Sequence, residues 1–368
     1  LWEMRWTPPL TDDASAGVIK VRLRNRQRSR RGPMAEVKEF GLDLAKNVFE
    51  VAGIDARERK VVGRRLRRAE LLRWFSRQPR VRVTMETCPG SHYWAKELEK
   101  LGFPVKMIPA SATKAYRQGH QKNDGRDAVA IARAGRSEQV RAVQVKSESQ
   151  LQIQALFTRR RLLTKHRVAL GNQMRGQLLE FGVALAKSDK ALRAGVEEAL
   201  SDSNLPAVFR EVLAASLEDY RETKAKEDQL ERRIEALVKE DELGRRLLDL
   251  PGVGPLTAGY VVGVLGGTAG CRSGREFAAR IGLVPRQHSS GDRVVLGKIT
   301  KRGDRILRSL LVHGGRSVLN PRSKRGAKLA EWGREVAERR GFNRATVAVA
   351  NKLARQLWAV SHRYATEG

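Results

Sequence analysis

Two aspartates, Asp124 and Asp127, stand three residues apart in the stretch QKNDGRDAVAIARAG, which covers residues 121–135. Residues i and i+3 lie on one face of a helix, so both carboxylates can reach the same small volume. Their repulsion is relieved by a divalent cation, and Mg²⁺ prefers one or two carboxylates together with phosphate oxygens. The pair therefore indicates a site for metal-dependent phosphoryl chemistry, with Mg²⁺ as the expected ion and Mn²⁺ as a substitute.

Two more carboxylates belong to predicted strands. Asp43 interrupts the apolar pattern FGLDLAK, and Glu86 lies near the end of the strand VRVTMETC. If these strands and the helix that starts at Asp124 lie side by side, the four carboxylates form one site, suited to a two-metal mechanism with ions about 3.5–4 Å apart. Each carboxylate alone is better explained as an exposed strand end or a solvated helix face. Only the four together favour a site.

A basic segment near the C-terminus surrounds a pair of serines. The turn Ser289-Ser290-Gly291-Asp292 predicts a hairpin, and that alone explains both serines. A serine hydroxyl is a weak nucleophile unless it is activated. His288 could be its base, although an isolated loop histidine is more often simply exposed. Six basic residues around the turn could hold a phosphodiester: Arg286, Arg293, Lys298, Lys301, Arg302 and Arg305.

The stretch LPGVGPLTA, residues 250–258, is similar to the hairpin of helix-hairpin-helix modules. In such modules Gly252 and Gly254 would let backbone N–H groups approach a phosphate at a helix N-terminus. The alternative is an ordinary glycine-proline turn between two helices. The basic surroundings favour the phosphate contact modestly.

The elements that must position these residues follow from periodicity. Residues 37–136 predict three strands, a helix, a strand, a helix, a strand and a helix, which is compatible with an α/β ribonuclease H-like domain. A long helix starts at Ser147 with an S-x-x-Q capping box, and a second runs from about Val208 to Leu250. They form a helical arm, either a hairpin within one chain or a coiled coil between protomers. The predicted domains are a basic arm (1–36), a catalytic domain (37–146), the helical arm (147–246) and a mainly helical C-terminal domain (247–368).

The composition limits the class of partner. The 368 residues contain 72 Lys and Arg against 41 Asp and Glu, a net charge of +31, which favours nucleic acid as the partner. The two cysteines lack the spacing of metal ligands, so a zinc site is poorly supported. The longest apolar run is shorter than the roughly 20 residues of a membrane span. No GxxxxGK[ST] motif is present to support ATP use. Residues 1–33 are Arg-rich without an apolar h-region, so we expect a disordered basic arm, with Met34 as a candidate start.

Several motifs together resemble insertion-sequence family one-ten, the DEDD transposases: FGLDLAKNVFEVAGID, METCPGSHYWAKELEKLG, KNDGRDAVAIA, and LPGVGPLTA followed by FAARIGLVPRQHSSGDRVVLGKITKRGDRILRSLLVHGGRSV. The resemblance covers nearly everything from Val37 to Arg363. It implies a RuvC-like domain, a coiled-coil arm and a C-terminal transposase domain. It also implies a metal site at Asp43, Glu86, Asp124 and Asp127 and a nucleophilic serine at Ser290.

The resemblance further implies a 5′-phosphoserine intermediate on double-stranded DNA, guidance by a structured RNA from the element's flank, and active sites shared between protomers of a dimer or tetramer. Asp292 departs from the small or basic residue that often follows Ser-Gly in the family. The leading hypothesis is a transposase in the bacterial cytoplasm, associated with the nucleoid and not with a membrane. A RuvC-like endonuclease that uses water, and an inactive nucleic-acid-binding remnant, are the alternatives.

Overall fold

The computed structural model describes residues 36–117, 124–268, 270–288, 293–320 and 326–367. The predicted basic arm up to residue 35, with Met34, lies outside the described residues. So do the serine turn, residues 289–292, and the side chain of Asp124. From Val37 onward the chain forms one compact unit.

A five-stranded mixed sheet forms the N-terminal part. Its strands, in the spatial order β3-β2-β1-β4-β5, are β1 (Glu39–Asp43), β2 (Val48–Ile54), β3 (Lys60–Arg67), β4 (Arg82–Glu86) and β5 (Val105–Ile108). The first three strands pair antiparallel, whereas β4 pairs parallel to both β1 and β5. The helices between and after them are α1 (Leu71–Phe75), α2 (Ser91–Lys100) and α3 (Asp124–Arg136). The predicted order of strands and helices is confirmed.

The two faces of β1 have different neighbours because successive side chains of a strand point to opposite faces. Phe40 and Leu42 are fully buried on one face, where the Phe40 ring packs edge-to-face on Phe75 of α1 with centroids 5.5 Å apart. Glu39, Gly41 and Asp43 belong to the other face. That second face is covered by α3, the helix that the two aspartates begin.

Two glycines allow α3 to lie directly on the sheet. A Cβ at Gly41 would overlap the carbonyl oxygen of Ala128 and lie 2.7 Å from the Ala132 nitrogen. A Cβ at Gly135, near the other end of the helix, would overlap the side chains of Glu39 and Thr84. Both contacts involve the central strands, so the helix axis is held against β1 and β4 along its length.

We expect Gly41→Ala to lower the free energy of unfolding by about 3 kcal/mol, since the new methyl group meets rigid backbone and not a movable side chain. The midpoint of thermal unfolding followed by tryptophan fluorescence measures the effect. Gly176→Ala is the matched control: it is a helical glycine whose Cβ would meet nothing within 4 Å. It should stabilise the protein slightly, because alanine is the better helix former. Equal unfolding midpoints for Gly41→Ala and the wild type would contradict the close approach.

The helical arm contains α4 (Glu148–Glu180), α5 (Asp189–Ser201) and α6 (Ala207–Glu240). The capping box is confirmed: the Gln150 N–H donates to Ser147 Oγ at 3.2 Å, and the Ser147 N–H donates to the Gln150 side chain at 2.9 Å. The prediction that the second helix continues to Leu250 is wrong. Asp241 has an extended backbone and accepts a hydrogen bond from the Gly244 N–H at 2.7 Å, so it caps a new helix, α7 (Glu242–Leu248).

A buried ionic cluster joins α4 to α6. Glu227, which is 2% exposed, accepts hydrogen bonds from Thr164 Oγ1 at 2.6 Å and Arg167 Nε at 2.8 Å. Burial alone would raise the pKa of Glu227, but these hydrogen bonds and the charges of Arg167 and Arg160 hold it below its usual value. Arg160 pairs with Glu231 farther along α6, so the helices run antiparallel within one chain. This is the intramolecular alternative for the arm; a coiled coil between protomers stays a prediction.

The C-terminal part is mainly helical. After α7 it contains α8 (Pro255–Gly259), a π-helical turn (Tyr260–Val264), α9 (Gly274–Arg280), the short strands β6 (Pro285–Gln287) and β7 (Leu296–Ile299), α10 (Arg305–Leu319), α11 (Ala327–Arg340) and α12 (Phe342–Glu367). Its core includes Ile153 from the start of α4 and Ile234 and Val238 from the end of α6. The base of the arm is thus part of the C-terminal core. No helix in the described ranges is long and apolar enough to cross a membrane.

Candidate functional site

Asp43 and Glu86 end two neighbouring parallel strands. The register of β1 and β4 pairs Gly41 with Thr84 and Leu42 with Met85. The next residues of the two strands are Asp43 and Glu86, the last residue of each. Because parallel strands present their carboxyl ends at the same edge of a sheet, the structure brings these two carboxylates to one edge.

Helix α3 brings Asp127 to the same edge. Gly135 lies beside Glu39 at the beginning of β1, whereas Ala128 lies beside Gly41, two residues before Asp43. The helix therefore runs opposite to β1, with its N-terminal turn at the carboxyl ends of the strands. Asp127 is 8% exposed there. Asp124 is the first residue of the same helix, and its side chain lies outside the described residues.

Arg117 and Thr113 also contact this edge, although the sequence analysis did not identify them. The Arg117 guanidinium lies 3.1 Å (Nε) from Asp127 Oδ1 and 4.0 Å (Nη2) from Glu86 Oε1. The buried Thr113 hydroxyl donates a hydrogen bond to Glu86 Oε1. Both residues follow β5, the strand next to β4. That position is the only signal in the sequence that could have pointed to them.

A fifth carboxylate faces Asp43 from β2. The antiparallel registers pair Asp43 with Glu50 and Glu50 with Arg65, so the three side chains share one face of the sheet. Arg65 Nε lies 3.5 Å from Glu50 Oε1 and supplies a counter-charge. Sequence reasoning missed Glu50 because it follows the ordinary alternation of the strand VFEVAGI.

Cys88 lies close enough to the carboxylates for its proton affinity to respond to them. Burial raises the pKa of its thiol, and the negative charges of Asp43 and Glu86 raise it further. The thiol therefore stays protonated at neutral pH. That both carboxylates act on one sulfur agrees with their common position at the edge of the sheet.

The two strands of the predicted hairpin around the serines are confirmed. Strands β6 and β7 pair antiparallel, and the His288 N–H donates to the Val295 carbonyl at 2.9 Å, which continues the pairing toward the turn. His288 is exposed. Ser290, which the sequence places between the two strands, lies outside the described residues.

Comparison with known proteins decides the family. A model described as a transposase of the DEDD type matches residues 40–182, and one described as the transposase IS116/IS110/IS902 family matches residues 244–329. A probable family 20 transposase of Pseudomonas aeruginosa is 40% identical over 89% of this chain and 97% of its own length. The transposase for insertion sequence element IS1111A of Coxiella burnetii is 36% identical over 98% of both chains, and that for IS1328 of Yersinia enterocolitica is 33% identical over 89% of this chain and 98% of its own length.

The chain belongs to the IS110 family of transposases. The predicted family is confirmed, and with it the prediction that the protein is an enzyme. The sheet of β1–β5 with its helices is accordingly a ribonuclease H-like α/β fold, the fold of the DEDD transposase domain.

The six basic residues proposed to hold phosphate all surround the transposase's hairpin and are all exposed: Arg286, Arg293, Lys298, Lys301, Arg302 and Arg305. Lys301 has a positive φ of 56°, which is uncommon for a residue with a side chain. It lies against Gly282, whose Cβ would overlap the backbone of Arg302. The basic loop is therefore held at its base by backbone packing, while its side chains extend into solvent.

The two glycines of the LPGVGP turn have different surroundings in the transposase. Gly252 has a φ of 73°, and a Cβ there would lie 2.6 Å from the Gly314 carbonyl oxygen of α10. Packing against α10 therefore explains Gly252. Gly254 is exposed, and a Cβ there would meet nothing within 4 Å. Contact of this turn with phosphate stays a prediction.

The carboxylate oxygens at the sheet edge are the kind of ligand that a hard cation prefers, but the described side chains do not surround a single point. Within the described ranges, no group of three His, Cys, Asp or Glu side chains is close enough to hold a metal ion. The like charges repel, and Arg117 already pairs with Asp127. Mg²⁺ nevertheless needs only one or two carboxylates beside substrate phosphates, and such half-buried oxygens are present.

Proposed function

We propose that this transposase cuts and rejoins DNA at the ends of an insertion sequence by metal-dependent phosphoryl transfer. The observation that carries the proposal is the meeting of Asp43, Glu86 and the N-terminal turn of α3 at one edge of the sheet. A purely structural role does not require carboxylates on three separate elements there. Each one adds repulsion that a structural edge would avoid.

Asp43, Glu86, Asp124 and Asp127 would together hold the divalent cation. Their oxygens are the ligand type that Mg²⁺ and Mn²⁺ prefer. When bound, the cation stabilises the charge that develops on the phosphate during transfer. Thr113 would hold the Glu86 carboxylate in place by the hydrogen bond that its hydroxyl donates.

Ser290 would be the nucleophile. Its Oγ forms a bond to phosphorus, the bond from phosphorus to the 3′ oxygen breaks, and the serine proton goes to solvent or to the leaving oxygen. The product is a 5′-phosphoserine and a free 3′ hydroxyl. Support comes from the place of Ser290 in the sequence between the paired strands β6 and β7, with the exposed Arg286 and Arg293 four residues before it and three after it. Those guanidinium groups can bind the phosphate oxygens in pairs.

The net charge of +31 supports a nucleic-acid partner over most other classes. Double-stranded DNA at the element ends and the target, and a guide RNA from the element's flank, are the partners we propose. The LPGVGP turn would contact phosphate as part of a helix-hairpin-helix-like element. Protomers would associate as a dimer or tetramer, with the helical hairpin of one arm pairing with that of another as a coiled coil, so that sites are shared between subunits.

The metal requirement is tested by incubating the purified protein with labelled element-end DNA and RNA transcribed from the element's flanks. With Mg²⁺ or Mn²⁺ we expect cleaved strands and a labelled protein adduct on a denaturing gel; EDTA should abolish both, and an excess of Mg²⁺ should restore them. Cleavage that persists in EDTA would refute the metal site. Metal-dependent cleavage without an adduct would favour the endonuclease alternative, and no cleavage under any condition would favour the inactive remnant.

A further inference from the structure

Arg117 places a positive charge at the acidic edge, which the carboxylates Asp43, Glu86 and Asp127 form. Its guanidinium joins Asp127 on α3, at 3.1 Å, to Glu86 on β4, at 4.0 Å. The two carboxylates come from different elements, and no other basic side chain in the described ranges forms an ion pair with either of them. One guanidinium thus supplies positive charge to two members of the acidic edge.

The arginine is not locked in this position. Its side chain is 40% exposed, whereas the Asp127 side chain is 11% exposed. The carboxylate is therefore held by the helix and the sheet, while the guanidinium reaches it from the solvent side. Only the guanidinium is well solvated when the pair separates, so the buried Asp127 carboxylate then needs another positive charge beside it.

We propose that Arg117 is the built-in counter-ion of the acidic edge and that a divalent cation displaces it. The inference rests on the proposed function, since it requires that this edge binds the ion. It accounts for the absence of a closed carboxylate cage among the described side chains: while Arg117 pairs with Asp127, that carboxylate has no need to turn toward Asp43. Arg117 therefore competes with the metal ion for Asp127 and Glu86. While it is bound to them, it also positions these two carboxylates.

Removal of Arg117 should change the affinity for metal in the opposite direction to removal of a residue that supports the site. Loss of a residue that supports the site structurally should weaken metal binding. Loss of a competing positive charge should strengthen it, because a dication no longer has to displace the guanidinium or tolerate it nearby. We expect Arg117→Ala to bind Mn²⁺ about tenfold more tightly than the wild type, at low salt, where such charges are least screened.

The experiment is an equilibrium titration of the full-length protein with Mn²⁺ alone, followed by calorimetry and by electron paramagnetic resonance of free Mn²⁺, without nucleic acid. Lys114→Ala is the matched control, since Lys114 is exposed, lies three residues earlier and carries the same charge. It should bind Mn²⁺ like the wild type. Arg117→Lys, which keeps the charge, should stay within about threefold of the wild type.

The outcomes separate the two proposals. If neither the wild type nor Arg117→Ala binds Mn²⁺, or Asp43→Asn binds it as well as the wild type, the metal site itself is refuted. If the wild type binds Mn²⁺ and Arg117→Ala binds it equally or more weakly, at an unchanged thermal midpoint, the metal site stands and the counter-ion role of Arg117 is refuted. Tighter binding in both Arg117→Ala and Lys114→Ala would also refute it, as an effect of net charge.

Discussion

Ser290→Ala is expected to abolish the covalent DNA adduct and to lower strand cleavage by at least about 10³-fold, because the proposed nucleophile is removed. The measurement is a denaturing gel of element-end DNA labelled on the 3′ side of the cut, in the fragment that keeps the 5′ phosphate, with Mg²⁺ and RNA from the element's flanks. The label should migrate with the wild-type protein and be absent from the variant. Mass spectrometry of the digested adduct should then find phosphate on Ser290.

The neighbouring serine is the control. Ser289 directly precedes Ser290 in the sequence, so Ser289→Ala makes the same chemical change one residue away. It should form adduct at a rate within about tenfold of the wild type, since its hydroxyl is not the attacking group. Adduct lost in Ser289→Ala and kept in Ser290→Ala would assign the nucleophile to Ser289. Cleavage at equal rates without adduct in all three proteins would mean that water attacks the phosphate.

Asp43→Asn is expected to lower cleavage by at least about 10³-fold without lowering stability. The amide has the shape of the carboxylate but not its charge, so it is a poor ligand for a divalent cation. It also removes one of several like charges at the carboxyl edge, and the thermal midpoint should stay the same or rise. Single-turnover cleavage, Mn²⁺ titration and thermal unfolding measure the three effects on one preparation.

Glu50→Gln is the matched control for Asp43→Asn. Glu50 stands directly opposite Asp43 on the neighbouring strand, and its charge is already balanced by Arg65. Neutralising it should change cleavage by less than about tenfold, because it alters the field at the site but leaves the four proposed ligands in place. Full activity of Asp43→Asn would refute a role of this edge of the sheet in cleavage. Equal losses in the two variants would show a general need for negative charge.

Much of the N-terminal domain and the start of the arm could be predicted because their signals are local. The alternation around Asp43, the end of the strand at Glu86 and the S-x-x-Q box at Ser147 are each contained in a few neighbouring residues. The adjacency of the first and fourth strands was expected from the ribonuclease H-like fold, with which the order of these elements along the chain is compatible. The prediction of one helix from about Val208 to Leu250 was wrong at Asp241, because the local pattern there does not reveal the break between α6 and α7. The helical periodicity continues past Asp241. The backbone of Asp241 is nevertheless extended, which ends α6, and its side chain caps the start of α7.

The sequence by itself determined the strands and helices, the carboxylates at their ends, the basic character of the chain and its family. The tertiary structure alone decided which side chains meet at the edge: Arg117 against Asp127, Thr113 against Glu86, and Glu50 between Asp43 and Arg65. It also decided that Gly41 must lack a side chain so that α3 can reach the strands. The physical reason is that periodicity depends on neighbours a few residues apart. A counter-ion or a close backbone approach depends on the packing of distant segments, which leaves no regular spacing in the chain.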